Sequence, residues 1–279
     1  MDKQNILFVG GDKRQIYCAK QLYASGFEVS IIGFEKCADV PEELMVFTNL
    51  KIAVILADVV VLPTPLFIKS EVYAPYSENK LKIEDIVANL DSEKRVFAGK
   101  IDDSVKSALE KKHVSYFDFL FQEDIVQYNA YLTAEGTVHK LMEMDDACLS
   151  RKKVLVIGFG RIAKHIIRIL QAYRTGITIC ARKKSDVTLA KIIGCKAKNI
   201  AHMKDLSGYD YIINTVPAKV FKNDLIQAAD TPFIDLAGVE YAAQKYYRFS
   251  SVPGKYAPKS AGIMQAHFIE QSLSEVDYE

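Results

Sequence analysis

The chain has 279 residues, of which 49% are apolar and 25% charged, the balance of an ordinary globular protein. Its 36 basic and 35 acidic residues leave a formal charge of +1, which gives no electrostatic reason to expect nucleic acid or an anionic membrane as partner. The N-terminal "MDKQNILFVGG" lacks the apolar length and cleavage site of a signal peptide, and no apolar stretch nears the roughly 20 residues that span a bilayer, so a soluble cytoplasmic protein is expected.

The five cysteines are scattered and form neither a C-x-x-C pair nor a disulfide framework. The histidines are scattered too, and no metal site is expected. Short β-branched runs alternate with longer amphipathic ones, the pattern of a doubly wound parallel sheet. In the first half the predicted strands are "NILFVG", "FEVSIIG", "DVVVLP", "RVFAG" and "HVSYFD". Helices are predicted over residues 13–25, 83–90 and 102–111, the last opened by Asp102 and Asp103 as N-caps. "LKIAVILADVVVLP" is the longest apolar run, broken by Lys51 and Asp58.

A long helical pattern over residues 122–146 follows, with Ile125, Tyr128, Leu132, Val138, Leu141 and Met142 as its stripe and an interruption at Gly136. Beyond it the strands are "KVLVIG", "GITICA", "YDYIINT", "TPFIDLA" and "YRFSSV". The tail "PKSAGIMQAHFIEQSLSEV" reads as one more helix. The expected architecture is α/β, with two doubly wound parallel-sheet domains. Residues 1–125 form a flavodoxin- or Rossmann-like substrate domain, and 126–262 a Rossmann NAD(P)-binding domain. Residues 263–279 return as a helix packed on the first domain.

Gly158-Phe159-Gly160-Arg161-Ile162-Ala163 follows a strand and opens a helix. The first glycine permits the tight turn, the second lets the backbone approach a pyrophosphate, and the small third residue lets helix and strand pack closely. The helix start then presents amides and a partial positive charge to the phosphates. An NAD site usually carries an acid about 20 residues further on, to accept from the ribose 2′-hydroxyl. Here Arg182, Lys183, Lys184 and Ser185 come in succession. A guanidinium grips a 2′-phosphate that a carboxylate would repel, so NADP is favoured over NAD. Thr215, Val216 and Pro217 after the fourth strand, and Asp235 and Ala237 after the fifth, are expected to complete the cleft.

Three further segments break local rules. "FVGGDKRQ" opens a helix after a double glycine but has no small third residue in register. It reads as an anion-binding turn, capped by Asp12, with Arg14 reaching into a cleft. Thr133, Glu135, Gly136 and Thr137 are poor material for a helix interior. They are read as a functional segment facing the other domain, with Thr133 and Thr137 donating to a substrate carboxylate and Glu135 handling a proton. The Pro- and Gly-rich run ending at Pro258 starts a helix carrying Lys259 and Ser260, a ready carboxylate site. For each the plain alternative is a cap, a solvated charge or turn chemistry.

Together, Gly10-Gly11-Asp12-Lys13-Arg14-Gln15, Glu135-Gly136-Thr137, Gly158-Phe159-Gly160-Arg161 and the stretch Pro253-Gly254 to Ala257-Pro258-Lys259-Ser260-Ala261-Gly262 resemble the A subunit of dipicolinate synthase from spore-forming bacteria. The resemblance runs almost the full length. Leu132 stands where proline is expected, and Ser260 where threonine is more usual. The resemblance implies oxidation of dihydrodipicolinate, or its hydroxytetrahydro precursor, to the aromatic dicarboxylate with NADP. It implies a small dicarboxylate substrate, and Arg14, Thr133, Thr137, Lys259 and Ser260 have, independently of the resemblance, suitable chemistry to hold its two carboxylates. It also implies a partner, the flavoprotein-like B subunit of dipicolinate synthase, and the mother-cell cytoplasm of a sporulating bacterium as location. A homo-oligomer stays open.

Two rivals remain. A D-2-hydroxyacid dehydrogenase shares the split plan, but it needs an arginine after the fifth strand and a later general-acid histidine. Gly238-Val239-Glu240 and a lone His267 within the last helix stand there instead. A non-catalytic dinucleotide-sensing module is the other.

Overall fold

The computed structural model describes residues 4–274. The first three residues of "MDKQNILFVGG" and the end of the expected returning helix, residues 275–279, lie outside the described residues.

The chain divides into two compact units. One runs up to Val126 and resumes at Ala257; the other is Gln127–Tyr256. The second crossing falls before the last helix begins, earlier than the boundary at 262 read from sequence.

The first unit carries strands β1 (Asn5–Val9), β2 (Glu28–Ile32), β3 (Met45–Val46) and β4 (Val59–Val61), a small antiparallel hairpin of β5 (Phe67–Ile68) and β6 (Glu71–Val72), then β7 (Arg95–Ala98) and β8 (Ser115–Asp118). All strands but the hairpin join one parallel sheet in the order β3-β2-β1-β4-β7-β8. Helices α1 (Lys13–Ala24), α2 (Leu50–Leu56), α3 (Ile83–Ala88) and α4 (Asp103–Lys111) connect them. The strands are apolar on both faces because helices cover both sides of the sheet. Ile6 and Phe8 pack with Ile16 and Leu22 on one face, and Leu7 and Val9 with Val54 and Leu109 on the other.

Helix α5 (Glu123–Glu143) starts in the first unit and continues into the second. Gly136 does not interrupt it, contrary to the expectation. A side chain there would strike Val252, so the glycine marks close packing rather than a break. The second unit holds β9 (Lys153–Ile157), β10 (Gly176–Ala181), β11 (Lys196–Asn199), β12 (Tyr211–Asn214), β13 (Phe233–Asp235) and β14 (Tyr246–Arg248), all parallel, in the order β11-β10-β9-β12-β13-β14. Its other helices are α6 (Arg161–Ala172), α7 (Lys184–Ile192), α8 (Asn223–Gln227) and the short α9 (Val252–Tyr256). The last helix, α10 (Pro258–Ser274), packs along α1 in the first unit, as expected. Gly262 lets the two helices meet, because a Cβ there would collide with the Arg14 carbonyl.

Both sheets therefore reverse direction beside their first strand, between β1 and β4 and between β9 and β12. In such folds the ligand crevice opens at that reversal, beyond the carboxyl ends of the strands. No helix among the described residues is long and apolar enough to cross a membrane.

Candidate nucleotide-binding site

In the second unit β9 ends at Ile157, and Gly158 follows with φ +103°. Its amide donates to the Cys180 carbonyl at 2.8 Å. A Cβ at Gly158 would run into the Thr215 hydroxyl and lie 2.9 Å from Val216. Two constraints thus converge on glycine here, one of backbone angle and one of space. Gly160 differs. A Cβ there would meet no protein atom within 4 Å, so nothing in the chain itself requires the missing side chain. That bare place, at the start of α6, is where a pyrophosphate needs to come close. Gly160 caps α6 without any side-chain hydrogen bond. Ala163 is completely buried against β9 and β10, as close helix–strand packing demands.

A cleft of about 320 Å³ opens beside this turn. Of the residues expected to hold the cofactor, Gly158, Phe159, Arg182, Lys183, Val216 and Pro217 line it. Arg161 and Ile162 form the first turn of α6 beside it, and Ser185 is exposed in the first turn of α7 outside the lining. Arg182 stands just past the end of β10, with its carbonyl held by Asn199 at 2.9 Å and its side chain exposed. Asp186 and Ile200 also line the cleft and escaped the sequence reading. The signal for Asp186 was its place one helical turn beyond Arg182.

Two expected cofactor residues are corrected to supporting ones. Asp235 has 0% exposure. It accepts from Asn214 Nδ2 (2.9 Å), the Ala237 amide (3.1 Å) and the Tyr246 hydroxyl (2.7 Å). With its acceptors turned inward, it shapes the ends of β12 and β13 and orders Ala237 instead of facing a ligand. Thr215 spends its hydroxyl on the Ile157 carbonyl at 2.8 Å and so buttresses the glycine turn.

The functional segment expected on α5 is also revised. Thr133 and Thr137 point their hydroxyls back along the helix, to the carbonyls of Asn129 and Thr133, each at 2.7 Å. Thr137 is completely buried. This back-bonding satisfies a hydroxyl inside a helix and removes the need for a ligand. Glu135, by contrast, is exposed. It accepts from the Tyr131 hydroxyl at 2.5 Å and lines a separate groove of the second unit with His139, His165 and Arg168. The phenol of Tyr131 is pushed up chiefly by that bond.

In the first unit the double glycine turn is filled by the chain itself. The Gly11 amide donates to the Tyr73 carbonyl at 2.8 Å. A Cβ on Gly10 would lie 2.9 Å from Ala74, and one on Gly33 would lie 2.8 Å from Leu81. Residues 73–81 thus take the place over β1 and β2 that a dinucleotide would need, which agrees with reading this turn as something other than a second nucleotide site. Asp12 caps α1 and forms a reciprocal capping box with Gln15. Arg14 does not reach outward as expected. It is 5% exposed, clasps Asp12 through Nε (2.9 Å) and Nη2 (2.8 Å), and donates to the Thr64 carbonyl. Asp12 is its neighbour on the same turn, and the pair neutralises a buried charge. Gln265 of α10 reaches Thr64 Oγ1 at 3.3 Å. Beside this cluster Gln15 Nε2 and Gln265 Oε1 are buried without a partner. Lys259 is exposed and Ser260 half-buried at the start of α10. Among the described residues no group of three His, Cys, Asp or Glu is placed to hold a metal.

The second unit thus has the plan of the nucleotide-binding half of a dehydrogenase. Residues 108–231 match the family described as D-isomer specific 2-hydroxyacid dehydrogenase, NAD binding domain. Residues 5–120 match the family described as the N-terminal domain of the dipicolinate synthase A subunit.

Over nearly its whole length the chain is similar to the dipicolinate synthase A subunit. It is 25% identical to the Bacillus subtilis protein of that name, across 98% of this chain and 97% of the other. The crystal structure of the dipicolinate synthase A subunit from Bacillus halodurans superposes with a TM-score of 0.82 at 23% identity, covering 97% of each chain. The corresponding dipicolinate synthase structure from Bacillus subtilis gives 0.81 at 20% identity, covering 100% of this chain and 98% of that one. The fold and an NAD(P)-binding, dehydrogenase-like second unit are common ground.

Proposed function

We propose that the chain is the catalytic subunit of a dipicolinate synthase, oxidising dihydrodipicolinate, or its hydroxytetrahydro precursor with loss of water, to dipicolinate with NADP. One observation carries the reading: the N-terminal half matches the dipicolinate synthase family, and a nucleotide cleft edged by Arg182 and Lys183 follows in the same chain. NADP, when bound, supplies the acceptor for the two electrons that leave the ring. Gly158, Gly160 and the first turn of α6 would hold its pyrophosphate, and Arg182 and Lys183 its 2′-phosphate.

The chain's remaining work is to position a dicarboxylate and to take a proton. Lys259 and Ser260 at the start of α10 have the charge and the hydroxyl to hold a carboxylate, and the Arg14 cluster is the polar floor of that unit. Thr133 and Thr137 enter as supports of α5, since their hydroxyls are committed. Glu135, exposed and hydrogen-bonded to Tyr131, is assigned the proton. The likeness to a protein named as one of several subunits supports a flavoprotein-like B subunit for this chain too, in the cytoplasm of a sporulating mother cell.

The test is NADPH formation by the purified protein, with dihydrodipicolinate made in situ by a dihydrodipicolinate synthase. Protein that binds NADPH yet never reduces NADP, alone or with the B subunit, sinks the catalytic reading. The match of residues 108–231 favours a D-2-hydroxyacid dehydrogenase as the second reading. Reduction of pyruvate or glyoxylate would establish it instead.

A further inference from the structure

The nucleotide cleft is lined by side chains of both signs of charge. Arg182 and Lys183 line it, and so does Asp186, one helical turn further along the chain in α7. Among the described residues no hydrogen bond or ion pair engages the Asp186 carboxylate or the Arg182 guanidinium, so neither charge is spent on the other. Ile200 and Val220 line the same cleft with apolar side chains. A free carboxylate accepts from a ribose 2′-hydroxyl and repels a 2′-phosphate; a free guanidinium does the reverse.

We infer that Asp186 is a specificity-determining residue that lets this cleft bind NAD as well as NADP. Arg182 and Lys183 serve the phosphorylated ribose. Asp186 serves the plain one and holds back the preference for the phosphorylated form. The inference rests on the second unit binding a dinucleotide, and it deepens the NADP reading. An acid in the first turn of a helix also suits the helix dipole, which is a purely structural use of Asp186. That use affects stability alike whichever nucleotide is present.

The experiment titrates NADH and NADPH into wild type, Asp186→Asn and Arg182→Gln, following nicotinamide fluorescence, with a melting curve for each protein. Wild type is expected to bind both nucleotides within roughly tenfold of each other, about 1.4 kcal/mol. Asp186→Asn should weaken NADH about tenfold and leave NADPH unchanged or tighter, while Arg182→Gln should weaken NADPH about tenfold and spare NADH. An Asp186→Asn protein that melts normally and shifts both nucleotides equally, or neither, overturns the inference. So does a wild type that prefers NADPH by about a hundredfold or more. A wild type that binds neither nucleotide overturns the nucleotide site itself, and this inference with it. Asp186→Ser, with a smaller side chain at the same helix start, repeats the measurement should the asparagine variant melt early.

Discussion

The hydroxyl of Thr215 stands where a side chain on Gly158 would have to go. The same hydroxyl is tied to the Ile157 carbonyl at 2.8 Å, so it cannot step aside without losing a hydrogen bond. Gly158→Ala should therefore combine a clash with strain at positive φ. A loss of about 2–4 kcal/mol in stability is expected, read by denaturant unfolding. The companion Thr215→Ala should relieve part of it; a Gly158→Ala protein as stable as wild type would show that the turn adapts.

Arg182→Asp should weaken NADP far more than NAD. It removes a cation and adds a carboxylate where the 2′-phosphate is proposed to lie, a change on the order of 3 kcal/mol against NADP. Equal losses for both nucleotides, measured by titration, would remove Arg182 from that role.

Glu135→Gln should lower turnover by about a hundredfold or more with nucleotide affinity nearly unchanged, because Glu135 lines a different groove from the nucleotide cleft. Steady-state rates together with NADPH titration decide it. Unchanged turnover would leave Glu135 as the partner of Tyr131 and nothing more.

Of the phenols pushed above their ordinary range, Tyr73, Tyr211 and Tyr246 are pushed furthest. Burial, then the charge of Asp12, pushes Tyr73 up to about 12. Burial, then Asp145, pushes Tyr211 up to about 12, and burial and the hydrogen bond to Asp235 hold Tyr246 well above the ordinary tyrosine range. In the unfolded chain these groups ionise near about pH 10. Between about pH 10 and 12 the folded state thus keeps protons that the unfolded state has lost, and stability falls as pH rises. Below about pH 10 their contribution is complete. The near-ultraviolet phenolate absorbance should show late-titrating groups that join the main transition on unfolding, and Tyr73→Phe should remove one of them.

The parallel plan was legible because its strands are apolar on both faces, and the turn at Gly158 because spacing and position agree. Asp102 and Asp12 could be read as caps from their neighbours, since capping is a local matter. Helix α2 was not legible. "LKIAVIL" is apolar but for Lys51 and leaves Ile52, Ile55 and Leu56 half-exposed, so no stripe marks it. Strand β11, "KAKN", has lysines where an interior strand has apolar residues, because it lies at the edge of the sheet. In the site, Arg182 was found by its distance from the glycines. Asp186 was not, since a carboxylate on a helix reads as a solvated charge. Thr133 and Thr137 misled for a reason intrinsic to helices: the acceptor that satisfies each hydroxyl is a backbone carbonyl one turn away, which composition does not reveal.

Residues 73–81 close the first crevice with the chain's own atoms, the Tyr73 carbonyl and the side chains of Ala74 and Leu81. The consequence is one of stoichiometry. Two sheets of the same strand order would suggest two equivalents of adenosine-bearing ligand per chain. The filled turn predicts one, and an equilibrium dialysis with NADPH should saturate at a single mole per mole of protein.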